Sequence, residues 1–396
     1  MSSTGRARRD GARSRVALVA GLAVGGCLTW NVSNVGAVAD PLSHSYGTSL
    51  AVIGLLTTTL FVSHLVAQLP AGMASDRVGA RFVALVAIAL VAAGNLIVLT
   101  TPTVAVAALG RAVAGLGSGG GFVAGLDLVR AGGGGPVSQG LYGGATMAGG
   151  GLALMSVPAL TDATSWRAPF WSAIALAGAA VIPTLAARGL PRIGHERSAP
   201  VRDARLLPLG AIQAATFGLS VIAGNWVVTL LERQGASSSL TGVAGGMTLF
   251  AGILTRPLGG VVVRMHKQRV RAAVATSLVG GAAGAAALAA GVSVGVSAVG
   301  ALALGLAAGL PFAAVFDATL RLRPDAPAAA IGVVNGCAVL AILVGTPLAG
   351  LAFSLPGDGR IGFAVIAALW ASALLVLRLT PIGAAAARPT TAPEPG

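Results

Sequence analysis

Charge is scarce in this chain: Asp, Glu, Lys and Arg make up 10% of 396 residues, where a soluble globular domain carries roughly 25%. Most of its surface therefore does not face water. Cysteine is scarcer still. Cys27 and Cys337 are the only two; both lie in apolar runs at no metal or redox spacing, which excludes a disulfide framework and leaves them as small packing residues. Four scattered histidines and twelve acidic residues give no His/Asp/Glu cluster for a membrane-embedded enzyme, and no metal or other cofactor is expected. Lys267 is the only lysine and no GxxxxGK[ST] occurs, so the chain has no ATPase of its own. Alternating ten-residue segments are also missing, which excludes a transmembrane barrel.

What remains is 55% hydrophobic with a mean hydropathy of +0.85. Twelve windows long enough to cross a bilayer as helices can be drawn, at 16–39, 50–71, 82–101, 103–128, 136–159, 168–187, 207–231, 241–263, 272–293, 295–320, 327–353 and 361–380. The prediction is an all-α membrane protein. The basic, Pro-containing stretch 188–206 divides the windows six and six. It gives a basic amino terminus (1–15), a bundle over 16–187, a second over 207–380, and a tail from Pro381 that reads as disordered. The first window reads as a retained helix rather than a removed signal peptide.

The net charge of +14 invites a nucleic-acid reading that its distribution rejects. Arg6–Arg15, Arg77, Arg81, Arg130, Arg188–Arg205, Arg264–Arg271, Arg321, Arg323, Arg378 and Arg388 fall on one side of the predicted membrane. Only Arg167, Arg233 and Arg360 fall on the other. This asymmetry places both termini in the cytoplasm. The expected partners are the bilayer of the cell's inner (plasma) membrane and a small solute or ion, with the chain acting as a monomer.

A charged island, Pro70–Arg81, sits between the second and third windows, and a worn copy follows 187 positions later: Pro257, Gly259 and Arg264 repeat Pro70, Gly72 and Arg77. A second alignment, offset by 190, pairs Gly110, Gly115, Gly119, Phe122 and Asp127 with Gly300, Gly305, Gly309, Phe312 and Asp317. Both point to a parallel duplication. Gly115-Leu-Gly117-Ser-Gly119 superficially suggests a dinucleotide loop, but no strand precedes it.

The chain resembles the major facilitator superfamily. Gly72-Met-Ala-Ser-Asp76-Arg77-Val-Gly79-Ala-Arg81 is similar to the family's signature GxxxDRxGxR between spans two and three, and Arg111-Ala-Val-Ala-Gly115-Leu-Gly117 to its span-four motif. The resemblance implies two six-helix bundles related by a pseudo-two-fold, with a central cavity that opens alternately to each side. It implies a secondary transporter in which Gly72, Asp76, Arg77, Gly79, Arg81, Asp127, Arg264 and Asp317 form a conformational latch or a static topology-setting cluster. Asp127 is a plausible partner for Arg77 or Arg81, and Asp317 for Arg264. Val263 and His266 replace the aspartate and glycine in the second copy, which predicts an asymmetric latch.

Arg111 and Arg256 are the arginines predicted within spans. Arg111 lies eight residues into its window, about 12 Å from the outer end by helical rise. It faces either a cavity or carbonyls of a neighbouring helix, since lipid exposure costs about 2.5–3.5 kcal/mol. The segment around Arg256 resembles span eight of the nitrate/nitrite porter branch, although Gln68 stands at or next to the position where that branch carries a second Arg. No carboxylate lies deep in a predicted span, so an anionic solute, gradient-driven with a proton as coupling ion, is the expected cargo. Asn31, Asn34, Asn225 and Trp226, on spans that line the cavity in the resembling family, are substrate contacts or interhelical bonds. His64 is a coupling candidate or a packing residue, with Tyr142 and Asn335 behind it. The alternatives are efflux of a hydrophobic compound, against which span five's lack of a Gly-Pro pair argues, and a non-transporting sensor, whose usual sizeable soluble output element the linker and tails are too short to supply.

Overall fold

The computed structural model describes residues 3–191 and 203–383. Residues 192–202 of the linker and 384–396 of the tail lie outside the described residues. Among the described residues the chain is helical, with no strand. The first six crossings are α1 (Ser3–Ser33), continued by a short α2 (Ala39–Tyr46), then α3 (Leu50–Val78), α4 (Ala80–Thr100), α5 (Val104–Ala131), α6 (Pro136–Ala163) and α7 (Ala168–Ala186). The second six are α8 (Leu206–Gln213) joined to α9 (Leu219–Arg233), α10 (Ser238–Met265), α11 (Val270–Ala290), α12 (Val294–Gly309) with α13 (Pro311–Leu322), α14 (Pro327–Leu351) and α15 (Arg360–Leu377). Ten of these segments are both long and apolar enough to span a membrane. The other two, α6 and α10, have 28 residues each, enough to cross ~30 Å of hydrocarbon. Val66, Ile182 and Leu254 are 62, 72 and 67% exposed, apolar surface that suits lipid rather than water.

Helix boundaries depart from the sequence windows where charge misleads. The island Pro70–Val78, read as a turn, is the last two turns of α3. Pro70 costs one backbone hydrogen bond there without ending the helix. The chain reverses only at Gly79, whose φ of +97° favours glycine. The basic stretch Arg6–Arg15 likewise belongs to α1. Span seven is interrupted by a π turn at Ala214–Gly218, and span ten changes helix at Leu310–Pro311. Before α8, Arg205 forks onto Asp203 at 2.9 and 2.8 Å and holds that carboxyl below its ordinary range.

The duplication is visible in the packing. Gly94 of α4 and Gly110 of α5 approach so closely that a Cβ on Gly110 would lie 2.5 Å from the Gly94 oxygen. Exactly 190 residues on, Gly284 of α11 and Gly300 of α12 repeat this reciprocal contact, at 2.6 and 2.7 Å. Such backbone-to-backbone approach is how helices associate where no hydrophobic effect drives them together. The two bundles meet through α3 against α14 and α6 against α10. At the end carrying the Gly79 turn these seams are tight. A Cβ on Gly72 would lie 2.5 Å from the Ala328 oxygen, and Gly140 and Gly260 pack on the backbones of Arg256–Pro257 and Pro136–Val137.

Candidate functional site

Between the bundles lies a cavity of about 240 Å³. Thr29, Ser33, Thr57, His64, Thr146, Asn225 and Asn335 give it polar edges, while Phe61, Phe122, Met147, Leu154, Phe217 and Ile342 supply apolar walls. These residues come from α1, α3, α5, α6, the π turn, α9 and α14, so both halves contribute. On α1, α6 and α14 they lie towards the end away from the Gly79 turn, beyond the tight seams. The size and mixed lining suit a small molecule with an apolar body and one polar group.

Arg256 stands behind this wall. It is 2% exposed. One guanidinium nitrogen donates to the Gly143 carbonyl at 2.9 Å and the Thr146 hydroxyl at 3.0 Å. Its Cζ sits 5.0 Å from the Phe217 ring centre and 4.4 Å from that of Phe312. Nε is buried without a partner. The cation is thus balanced by a carbonyl, a hydroxyl and two ring faces, all formally neutral. Tyr142 is also buried, donating to the Phe122 carbonyl at 2.7 Å.

His64 is the one titratable side chain among the described cavity-lining residues. Its Nδ1 lies 2.9 Å from the Ser118 hydroxyl, which itself reaches the Gly115 carbonyl at 3.1 Å. A hydroxyl that donates to Gly115 accepts from Nδ1–H, leaving Nε2 as the ring's proton acceptor. Beside the cavity, an amide chain crosses between the halves: Asn335 donates to Gln68 at 3.1 Å and accepts from Gln213 at 3.5 Å. Gln68 is therefore part of an inter-bundle seam.

Arg111, Asn31, Asn34 and Trp226 are not among the lining residues. Arg111 is 1% exposed and donates to the Asn31 carbonyl at 3.0 Å and the Asn34 side-chain oxygen at 3.3 Å. It pins α5 to α1. Asn34 also donates to the Pro169 carbonyl at 2.8 Å, and Asn31 accepts from Asn95 at 2.8 Å. Trp226 donates to the Thr346 carbonyl at 2.9 Å. Of the residue types singled out on the first and seventh spans, only Asn225 faces the cavity.

At the signature turn, Asp76 is 4% exposed and its two carboxylate oxygens accept from the Ala328 and Ala329 amides, each at 3.0 Å. Those amides belong to the first turn of α14, where no intrahelical acceptor exists, and Pro327 precedes them. Asp76 thus caps a helix of the opposite half, with favourable alignment to its dipole. The expected pairings differ nearby. Asp127 accepts from Ser75 at 2.6 Å and pairs with Arg130 at 2.5 Å, its neighbour one turn on. Arg81 turns instead to the Thr184 carbonyl at 3.2 Å. In the second half Asp317 pairs with Arg321 at 2.9 Å, again one turn away, and Arg264 is exposed. Arg77 is exposed at the end of α3. Sequence reasoning missed Phe217, Thr146 and Ser118. A π turn and a hydroxyl's aim leave no residue pattern, although Phe217 is one of only ten phenylalanines.

The comparisons agree with this architecture. The sequence matches the Major Facilitator Superfamily over residues 20–346. No curated protein matches it by sequence. The structure is similar to that of the human organic anion transporter MFSD10 (TETRAN), with a TM-score of 0.71 and 17% identity over 93% of this chain and 99% of that one. It is also similar to the E. coli fucose:proton symporter FucP, with a TM-score of 0.69 and 14% identity over 92% and 98% of the two chains. Neither is a nitrate porter, and the likeness of the Arg256 segment to that branch gains no support. With the family match covering most of the chain and a fold shared almost end to end with two solved transporters, the chain belongs to the major facilitator superfamily, a family of multi-pass membrane transporters.

Proposed function

We propose that this protein is a secondary active transporter that moves a small organic anion across the cell's inner (plasma) membrane by alternating access. Arg256 carries the reading. A guanidinium held behind the cavity wall, among the described residues, by neutral groups alone leaves a positive charge uncompensated beside the site, and an anionic substrate completes the pair. The two solved neighbours carry an organic anion and fucose by name, so the fold itself does not choose the substrate.

The basic residues gather at the end with the Gly79 turn, which supports that end as cytoplasmic. The cavity then faces outward, and Asp76 on the first turn of α14 acts as the latch that holds the cytoplasmic end shut. Gly72 lets α3 and α14 close, and Gly79, Arg77, Arg81 and Asp127 shape and brace the turn. The second copy, with Val263 in place of the aspartate, contributes backbone packing at Gly260 without a matching cap. His64 is the coupling group, taking a proton at Nε2 when the cavity is open. The cavity's apolar walls favour one second reading, transport of a neutral hydrophobic compound.

Uptake into proteoliposomes under an imposed pH gradient separates the two. Anion transport should fall in Arg256→Gln. Normal anion transport by Arg256→Gln would remove the anion reading, and flux confined to neutral hydrophobic compounds would establish the second.

A further inference from the structure

Arg256 is separated from the cavity by very little, and most of the partition is one ring. Phe217 lines the cavity and also packs on the Arg256 guanidinium, its ring centre 5.0 Å from Cζ. Thr146 is the second element of the partition, but its hydroxyl is already engaged, accepting from Arg256 and donating to Gly143 at 2.7 Å. Phe312, whose ring centre lies 4.4 Å from the same Cζ, is 2% exposed and is not among the lining residues. It forms a fixed floor, whereas Phe217 is a partly exposed lid.

The lid is carried by the π turn, Ala214–Gly218. A π turn holds one residue more than an α turn and is often found where a helix has work to do. Reversion to α pitch rotates a side chain by about 100° around the axis, which carries a ring off its neighbour. The turn also abuts the opposite wall of its own bundle: a Cβ on Gly218 would lie 3.1 Å from the Ala338 oxygen of α14, the helix whose first turn Asp76 caps.

We propose that Phe217 is a specificity gate over Arg256, swung by the π turn, that admits an anion to the guanidinium only when the anion's apolar body displaces the ring. The proposal rests on Arg256 being the anion ligand. The unpartnered Nε of Arg256 is the donor that becomes available once the ring leaves. Phe61, Phe122 and Met147 are the surfaces on which an apolar body packs while it does so. A small hydrated inorganic anion has no such body and leaves the ring in place, so the gate selects organic over inorganic anions. Phe217 is a specificity-determining residue by this account, and Arg256 remains the ligand.

The test is independent of the natural substrate. The purified full-length protein in lipid nanodiscs is treated with phenylglyoxal, an arginine reagent, and modification is followed at each arginine by peptide mass spectrometry. Arg256 should react slowly in the wild type and about tenfold faster in Phe217→Ala, the scale set by losing one desolvated cation–ring contact. Arg111, buried away from the cavity, should not change. Phe217→Leu, which keeps the site filled, should be intermediate and covers the case in which the alanine variant does not fold. Unchanged Arg256 reactivity in both variants, or equal acceleration at Arg111, overturns the gate. These outcomes are separate from the fate of the anion reading, which Arg256→Gln transport decides.

Discussion

Replacing Asp76 by Asn should open the end of the transporter that the structure shows closed. The carboxylate receives two amide hydrogen bonds of 3.0 Å from Ala328 and Ala329 while 4% exposed. Hydrogen bonds to a charged group contribute about 1.5–3 kcal/mol each, and a charge at a helix N-terminus adds up to about 2 kcal/mol in partly buried geometry. Asparagine keeps one carbonyl oxygen, and therefore one neutral bond, but turns an N–H toward the other amide. The net loss is about 2–3 kcal/mol. That shifts the closed-to-open ratio by about 30- to 150-fold, enough to make a rare state measurable. Spin labels on Val78→Cys and Leu207→Cys, exposed positions at this end on opposite halves, in a Cys337→Ala background, report the change by pulsed electron resonance. Asp76→Asn should add a longer-distance population. An unchanged distance distribution would mean that the two amide bonds hold no closed state, and the latch reading would fall.

Other perturbations probe the remaining parts. His64→Gln, which keeps a side chain able to bond Ser118 but cannot take a proton, should abolish accumulation driven by a pH gradient while leaving counterflow exchange intact; loss of both would place His64 in binding instead. Gly94→Val and Gly284→Val should each cost about 1–3 kcal/mol by overpacking the repeated helix contact, seen as lowered melting temperatures. Gly178→Val, where a Cβ meets nothing within 4 Å, should leave melting unchanged. Arg111→Gln should lower thermal stability, because the Asn31 carbonyl and Asn34 oxygen lose their donor, with little effect on KM. A large KM rise without a stability loss would return Arg111 to the substrate path.

Much of the architecture was legible because lipid restricts what a chain can do. Long apolar windows become helices, and the 190-residue offset between Gly110 and Gly300 recurs as the same backbone contact in both halves. The signature turn was legible as a unit, but its partners were not. Asp76 finds two backbone amides 252 and 253 positions away, and amides carry no residue label. Asp127 and Asp317 take arginines one turn along their own helices rather than across the loop, because a neighbour on the same helix costs less ordering. The two intramembrane arginines looked alike in sequence. Both have formally neutral partners, but the Asn31 and Asn34 oxygens that hold Arg111 are not among the cavity-lining groups, while Thr146 and Phe217 beside Arg256 are, a difference set by which way each helix face turns. The π turn that places Phe217 has no composition signal, since Ala-Ala-Thr-Phe-Gly reads as ordinary span sequence.

The proposed role of Arg256 is to draw an anion into this cavity. Its most direct test is gradient-driven uptake by proteoliposomes of membrane-impermeant organic anions (sulfonates, carboxylates and phosphate esters) alongside their neutral amides. Accumulation should be confined to anions and lost in Arg256→Gln at unchanged protein folding. Equal transport of the neutral amides, or anion accumulation that survives Arg256→Gln, would contradict it.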